Sequence, residues 1–404
     1  MPEFPYTRLR RWPDVEADNL QAYDATDLLL VERALALGVP GTEVAVIGDE
    51  YGAITLALTA AEFDGIRVHQ DLATGRRALL RNAEELGLAG FRSHELDAEL
   101  LSGARLVLLH LPKSLAELEE IADAVVRWAA PDVVLVAGGR VKHMTLAQNE
   151  VLGRSFAHVQ PQRAERKSRL IVASDARPMP ADPPFPVTAQ HDGLTLVAHG
   201  GAFAGARLDI GTRVLLDVLG LGGSQLRKNV LVRAENRADG PENGGSSGVV
   251  NGDRPSRVLD LGCGTGALAV SYALAHPEAQ VIATDRSAAA VASARATAAA
   301  NGVADRVTVT HDDAASEIPD ASVDIVLLNP PFHLGTSVHT GAATRLFEAA
   351  ARVLRPGGEL FTVYNSSLGY RAELTRLIGP TEQVERTPKF TVTRSIRTSE
   401  ERRS

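Results

Sequence analysis

An asparagine followed by two prolines and an aromatic ring, Asn329-Pro330-Pro331-Phe332, closes the apolar run in VDIVLLNPPFH (323–333). The Asn329 side-chain oxygen and the Pro330 carbonyl are two acceptors that can be aimed at the hydrogens of one amine. The exocyclic amine of a nucleobase is a poor nucleophile, because its lone pair is delocalised into the ring. Two such acceptors help it pyramidalise and localise that pair. The prolines hold the acceptors rigid, and Phe332 offers a face on which a flipped base can stack. Attack on the methyl of a sulfonium then needs no strong base, since the positive charge already activates the leaving group. His333 comes next and could touch a phosphate or cap the following helix.

A second constellation lies in VLDLGCGTGAL (258–268), where Asp260 ends a strand and Gly262, Gly264 and Gly266 form a turn into a helix. Glycines are needed where the backbone adopts positive φ or touches a ligand directly. Strand–glycine–helix units serve both dinucleotides and S-adenosylmethionine. Here the spacing is Gly-x-Gly-x-Gly, without the third-glycine spacing of the dinucleotide fingerprint. Asp260 also suits the cationic aminoacyl end of S-adenosylmethionine, whereas it would repel a pyrophosphate. Asp285, ending QVIATD, is placed to accept both ribose hydroxyl hydrogens. Asp312 or Asp313, ending the third strand, could accept from the adenine amino group. Cys263 reads as a packing residue of the turn, because no histidine base stands beside it. S-adenosylmethionine is thus the expected cofactor, and no metal is expected.

These residues need a sheet to carry them. The aliphatic run 323–328 suits a buried parallel strand, and the two prolines force the chain out of the sheet. Ligands of open α/β sheets sit beyond the carboxyl ends of the strands, where that turn is delivered. Apolar strands and helices alternate along the chain, as in EVAVIGDEYGAITLAL (43–58), IRVHQD (66–71), ARLVLLHLPK (104–113) and LAELEEIADAVVRWAA (115–130). This pattern implies βαβ units on parallel sheets. A helix is expected over 19–37, and the alternation in 382–397 reads as an antiparallel edge hairpin.

The two halves repeat each other. Gly48 to Asp71 and Gly262 to Asp285 are both separated by 23 positions (71 − 48 and 285 − 262), and VLLHLPK in the first half answers VLLNPPF in the second. Only the second copy keeps the chemical groups: Asp49 and Glu50 occupy the first glycine turn, and His110 stands where Asn329 does. The first copy is expected to be a scaffold or a recognition platform. The expected organisation is a degenerate domain at 1–174, a proline-rich linker at 175–193 and a catalytic domain at 194–404. A flexible insertion is expected at 235–256.

With 404 residues, the chain is long enough for two domains of ordinary size. Its net charge of −8 argues against coating nucleic acid through the overall field, but leaves room for local basic patches. Such patches occur at Arg163, Arg166, Lys167 and Arg169, and near the end at Lys389, Arg394, Arg397, Arg402 and Arg403. The first domain and the C-terminal hairpin are therefore the expected path for RNA. One cysteine, no leader-like apolar stretch and no window of membrane-spanning length suggest a soluble cytoplasmic protein without a membrane partner. A monomer is expected.

Taken together, VLDLGCGTG, NPPFH, LDIGTRVLL (208–216) and the terminal pair Lys389-Phe390 resemble the bacterial ribosomal-RNA guanine-N2 methyltransferases. QAYDATDLLL (21–30) and LPKSLAELE (from Leu111) resemble the large-subunit members. The resemblance implies an α/β chain of two tandem Rossmann-like class I methyltransferase domains, the N-terminal one degenerate. It implies methyl transfer from S-adenosylmethionine to a guanine N2 in 23S or 16S rRNA, free or within a ribosomal subunit. Asn329, Pro330, Pro331 and Phe332 would form the catalytic turn, and Asp260, Gly262, Gly264, Gly266 and Asp285 the cofactor site. Phe203, His333, Lys389 and Phe390 would meet the substrate, with Phe203 and Thr212 near the mouth of the cofactor site. The chain departs from the family pattern at Ala202 and Ala204, at Gly341, and at Ser366, Ser367 and Gly369. Two other readings share some of these features. One is an amino-group methyltransferase with the same turn acting on adenine N6 or a protein glutamine; the other is a non-catalytic RNA-binding assembly protein.

Overall fold

The computed structural model describes residues 4–17, 19–222, 256–331 and 340–399. The chain forms two compact units, Met1–Pro186 with His199–Gly201, and Val187–Ala198 with Ala202–Ser404.

The first unit is built on β1 (Val44–Ile47), β2 (Ile66–His69), β3 (Phe91–Ser93), β4 (Leu106–His110), β5 (Val134–Arg140), β6 (Phe156–Pro161) and β7 (Ser168–Ala176). They pair in the order β3-β2-β1-β4-β5-β7-β6. The first five run parallel, and β7 is antiparallel to both β5 and β6. Strands covered on both faces need unbroken apolar sequence, and all four residues of β1 are buried. Helices α1 (Ala25–Leu37), α2 (Ala53–Ala60), α3 (Ala73–Leu86), α4 (Ala98–Leu101), α5 (Leu115–Trp128) and α6 (Leu146–Ser155) complete the unit. Helix α1 starts later than the 19–37 expected from periodicity. A capping box fixes its start: the Asp24 carboxylate accepts from Thr26 N at 2.6 Å, and Asp27 Oδ2 accepts from Asp24 N at 2.7 Å.

The second unit repeats the plan. It holds β8 (Val187–His191), β9 (Leu194–Ala198), α7 (Ile210–Val218), β10 (Arg257–Leu261), α8 (Ala267–Ala275), β11 (Gln280–Asp285), α9 (Ala288–Ala300) and β12 (Val307–His311). Beyond these come β13 (Val323–Leu328), α10 (Thr340–Val353), β14 (Leu354–Asn365), α11 (Arg371–Leu377), β15 (Thr381–Arg386) and β16 (Phe390–Ile396). Its large sheet is ordered β12-β11-β10-β13-β14-β16-β15, the same permutation as in the first unit. The C-terminal pair is the antiparallel hairpin that the alternation suggested, with β16 inserted beside β14 and β15 at the edge. One face of the sheet packs Val258, Leu327 and Val363 with Leu215 of α7 and Val270 of α8. The other packs Leu259, Val326 and Leu328 with Phe347 of α10 and Leu374 of α11.

Two segments differ from expectation. Val187–His191, within the stretch read as linker, form β8 and pair antiparallel with β9; the prolines that suggested a linker stop at Pro186, so nothing prevents a strand after them. The basic stretch around Arg163–Arg169 is the turn of the β6–β7 hairpin, and Arg166 is paired with Glu32 at 2.7 Å. The insertion expected at 235–256 lies, except for Ser256, outside the described residues, as do Phe332 and His333. Among the described residues no helix is long and apolar enough to cross a membrane.

Candidate active site

The strand order reverses beside β10, the switch point at which α/β sheets open a crevice for ligands. Register places the key groups there. Leu261 pairs with Leu328 on one side and with Thr284 on the other. The next residues, Gly262, Asn329 and Asp285, therefore leave three adjacent strands at one level.

The three turn glycines all have positive φ, 77° at Gly262, 52° at Gly264 and 78° at Gly266, but they serve different ends. A Cβ on Gly262 or Gly264 would meet nothing within 4 Å, so both border open space. A Cβ on Gly266 would stand 3.0 Å from that of Ala294, so this glycine lets α8 pack against α9. Asp285 spans the turn, accepting from Gly264 N and Ser287 N at 2.9 Å each.

Asp260 is 1 % exposed. Its Oδ2 accepts from Ala269 N at 2.9 Å, whereas Oδ1 is buried with no partner among the described residues. Burial, with a smaller push from Asp285, raises its pKa to about 7. An orphaned carboxylate oxygen beneath an open glycine turn fits a cationic donor such as the ammonium of S-adenosylmethionine. The residues present thus fit that cofactor. Cys263 is buried, and burial together with Asp285 and Asp260 pushes its thiol pKa well up, so it is no nucleophile at neutral pH.

At the end of β12 the two candidate acids already have partners. Asp312 accepts from Ser316 Oγ at 2.5 Å and Glu317 N at 2.9 Å, which caps the turn that follows, and Asp313 is paired with Arg345.

Asn329 is held from α7, far away in sequence. Its Nδ2 donates to Asp209 Oδ2 at 3.1 Å and to Thr212 Oγ1 at 2.9 Å, while Oδ1 is buried and has no partner among the described residues. Asp209 Oδ2 also accepts from Thr212 N at 3.2 Å, as the N-cap of α7. Gly211 permits this close approach: a Cβ there would lie 3.1 Å from Asp209 Oδ2 and 3.4 Å from Asn329 Oδ1. Pro330 is buried and Pro331 exposed. From sequence, Thr212 is expected near the mouth of the cofactor site, whereas no role there follows for Asp209 or Gly211. The only local signal for them is an Asp at a helix start, which a cap alone would explain.

The expected substrate residues are not all brought to this point. Phe203 is 67 % exposed on the turn between β9 and α7. Phe390, expected to meet the substrate, is 4 % exposed and belongs to the core, because its position on β16 faces inward. Its ring edge would lie 3.3 Å from a Gly211 Cβ, so it backs the site rather than facing a ligand. Lys389 is exposed, its ammonium 5.5 Å from the centre of the Phe390 ring. Arg394 of the basic hairpin is committed to Glu359 and to Glu382.

The first unit shows what the same frame becomes without its chemistry. Asp49 fills the glycine turn, accepting from Gly52 N at 3.0 Å and Thr55 N at 2.7 Å. Asp24, Asp27 and His110 occupy the places of Asp209, Thr212 and Asn329, with one ligand atom of each within 4.8 Å of the others. Such a trio resembles a metal site, but Asp24 and Asp27 already bind backbone amides in their capping box.

Comparisons with known proteins agree with this architecture. The family described as Methyltransferase small domain matches residues 249–394, and the RLMG N-terminal domain matches residues 2–177. A protein of Streptomyces avermitilis named Ribosomal RNA large subunit methyltransferase G is 34% identical, covering 96% of this chain and 96% of its own. A protein of the same name from Pseudomonas fluorescens is 33% identical over 96% of this chain and 97% of its own. A solved T. thermophilus 16S rRNA N2 methyltransferase, in complex with AdoMet and guanosine, shares the fold at a TM-score of 0.67. It is 23% identical over 93% of this chain and 92% of its own. The repeated sheet order, the glycine turn above a buried acid and this full-length similarity establish that the chain belongs to the ribosomal RNA large subunit methyltransferase G family.

Proposed function

We propose that the chain transfers the methyl group of S-adenosylmethionine to the N2 amine of one guanine in large-subunit ribosomal RNA. The observation that carries this reading is the Asn329 amide, whose oxygen is buried without a partner while its nitrogen is fully engaged. The names of the relatives, and the guanosine bound to the T. thermophilus enzyme, support the choice of substrate.

Asp260 would pair with the cofactor's ammonium, Gly262 and Gly264 would leave its path open, and Asp285 would receive the ribose hydroxyls. A carboxylate has about four acceptor sites, so Asp285 can tie the turn and still take part. Asp312 or Asp313, at the end of β12, would meet the adenine amino group. When bound, S-adenosylmethionine supplies an electrophilic methyl on a sulfonium that leaves without protonation. Asn329 Oδ1 and the Pro330 carbonyl would accept the two amine hydrogens and localise the lone pair, and Phe332 would stack on the base. The proton released by the amine passes to solvent. The first unit, its glycine turn filled by Asp49, would serve as a scaffold or RNA platform in the cytoplasm.

The test is to incubate the protein with labelled S-adenosylmethionine and rRNA lacking the modification, then digest and identify the nucleoside. N2-methylguanosine is expected. Methyladenosine, or label in protein, would transfer the same site to another amine. Cofactor binding with no incorporation would make the chain an RNA-binding protein only.

A further inference from the structure

We propose that Asp209, with Thr212, is a positioning residue that locks the Asn329 amide with its oxygen toward the acceptor, so that the site selects an N–H donor and rejects a carbonyl. This rests on the methyl-transfer reading above. An asparagine amide is almost symmetric in shape, and rotating it by half a turn exchanges an acceptor for a donor. At the end of a strand, nothing in Asn329 itself decides which faces the ligand.

The surroundings decide it. Asp209 is a carboxylate and can only accept, so the group 3.1 Å from its Oδ2 has to be the NH2. Thr212 Oγ1, 2.9 Å away, accepts the other hydrogen. Both donors of the amide are thereby used, and the oxygen is left buried beside Gly211 without a partner among the described residues, free to accept from a ligand amine. Rotating the amide would bring two acceptors together and would abandon a charge-assisted hydrogen bond. Losing such a bond corresponds to a bias on the order of 10- to 100-fold. The residues responsible lie 120 and 117 positions before Asn329. They sit in the first turn of α7, where Gly211 removes the side chain that would push that turn away.

Asp209 also caps α7 through Thr212 N, so a plain truncation would confuse positioning with stability. Asp209→Ser separates the two. Serine caps a helix about as well as aspartate but is too short to reach Asn329. Asp209→Asn keeps both the cap and a neutral acceptor, and Thr212→Val removes the second acceptor alone.

The full-length protein would be labelled with 15N at asparagine side chains, the Asn329 signal being identified by its absence in Asn329→Ala. The two Asn329 amide hydrogens are expected to exchange slowly with solvent in the wild type and rapidly in Asp209→Ser. Single-turnover methyl transfer at saturating S-adenosylmethionine should fall about 10- to 100-fold in Asp209→Ser and recover to within about fivefold of wild type in Asp209→Asn. Cofactor affinity should stay within about twofold throughout. Thr212→Val should lie between these variants. Unprotected Asn329 hydrogens in the wild type would overturn the lock. So would equal transfer rates in Asp209→Ser and Asp209→Asn, or a loss arising wholly from cofactor affinity. If the wild type protects these hydrogens but methylates no guanine, the lock stands and the substrate reading fails.

Discussion

Asp260 gives one carboxylate oxygen to Ala269 N at 2.9 Å and keeps the other buried with no partner among the described residues. The helix N-terminus fixes the carboxylate, and burial resists its charge. A cationic ligand resolves the conflict by supplying the missing donor and stabilising the ionised form.

That conflict makes cofactor binding pH-dependent. The Asp260 pKa is raised from 3.8 to about 7 in the folded chain, so below that value a proton has to leave before the ammonium can pair. Affinity for S-adenosylmethionine, followed by calorimetry, should rise by up to about tenfold per pH unit toward 7 and then level off. In Asp260→Asn this dependence should disappear along with most of the affinity. For the cofactor-free protein the sign is opposite. Between 3.8 and about 7 the folded chain holds a proton that the unfolded chain has released, so this group's stabilisation is full at low pH and lost as pH rises through about 7. A wild-type affinity that is flat from pH 5 to 8 would mean that Asp260 is not the ammonium's partner.

The turn glycines should separate in their effects. Gly264→Ala strains a left-handed backbone by about 1–2 kcal/mol and puts a methyl into the open space beside the turn. Cofactor affinity should fall at least about tenfold while the melting temperature drops modestly. Gly266→Ala meets the same strain and in addition overlaps Ala294, which typically costs a further ~1–3 kcal/mol, so thermal stability should suffer more. Thermal denaturation and calorimetry on the same two variants distinguish the roles. Equal melting temperatures would refute the packing role of Gly266.

The first unit should bind no cofactor, giving one S-adenosylmethionine per chain. Asp49 is structural there, and Asp49→Ala leaves the amides of Gly52 and Thr55 without their acceptor inside the core. A loss of about 1–3 kcal/mol in chemical denaturation is expected, with methyl transfer unchanged once folded. A stoichiometry of two would contradict the reading of this unit as degenerate.

Much of this was legible in the sequence because it is local. The spacing of the glycine turn and acid, the apolar run halted at Pro330, and the matching halves all follow from short-range pattern, and the repeated sheet order is their consequence. What escaped depends on distance or on sign. Asp209 reads as an ordinary helix cap, and only the fold shows that the same oxygen holds Asn329. Phe390, expected from the resemblance to meet the substrate, is turned into the core by β16. The β6–β7 hairpin was hidden by an exposed strand and by a turn in which Arg166 and Lys167, not glycines, adopt positive φ.

The most direct test of the catalytic role of Asn329 compares wild type with Asn329→Ala in one assay that reads cofactor affinity by calorimetry and identifies the methylated nucleoside after single-turnover reaction with unmodified rRNA. Affinity should be unchanged to within about threefold, the wild type should yield N2-methylguanosine, and the variant should lose about 100- to 1000-fold in transfer, on the scale of removing a preorganised catalytic group. Robust methylation by Asn329→Ala, or cofactor binding that disappears with the side chain, would contradict it.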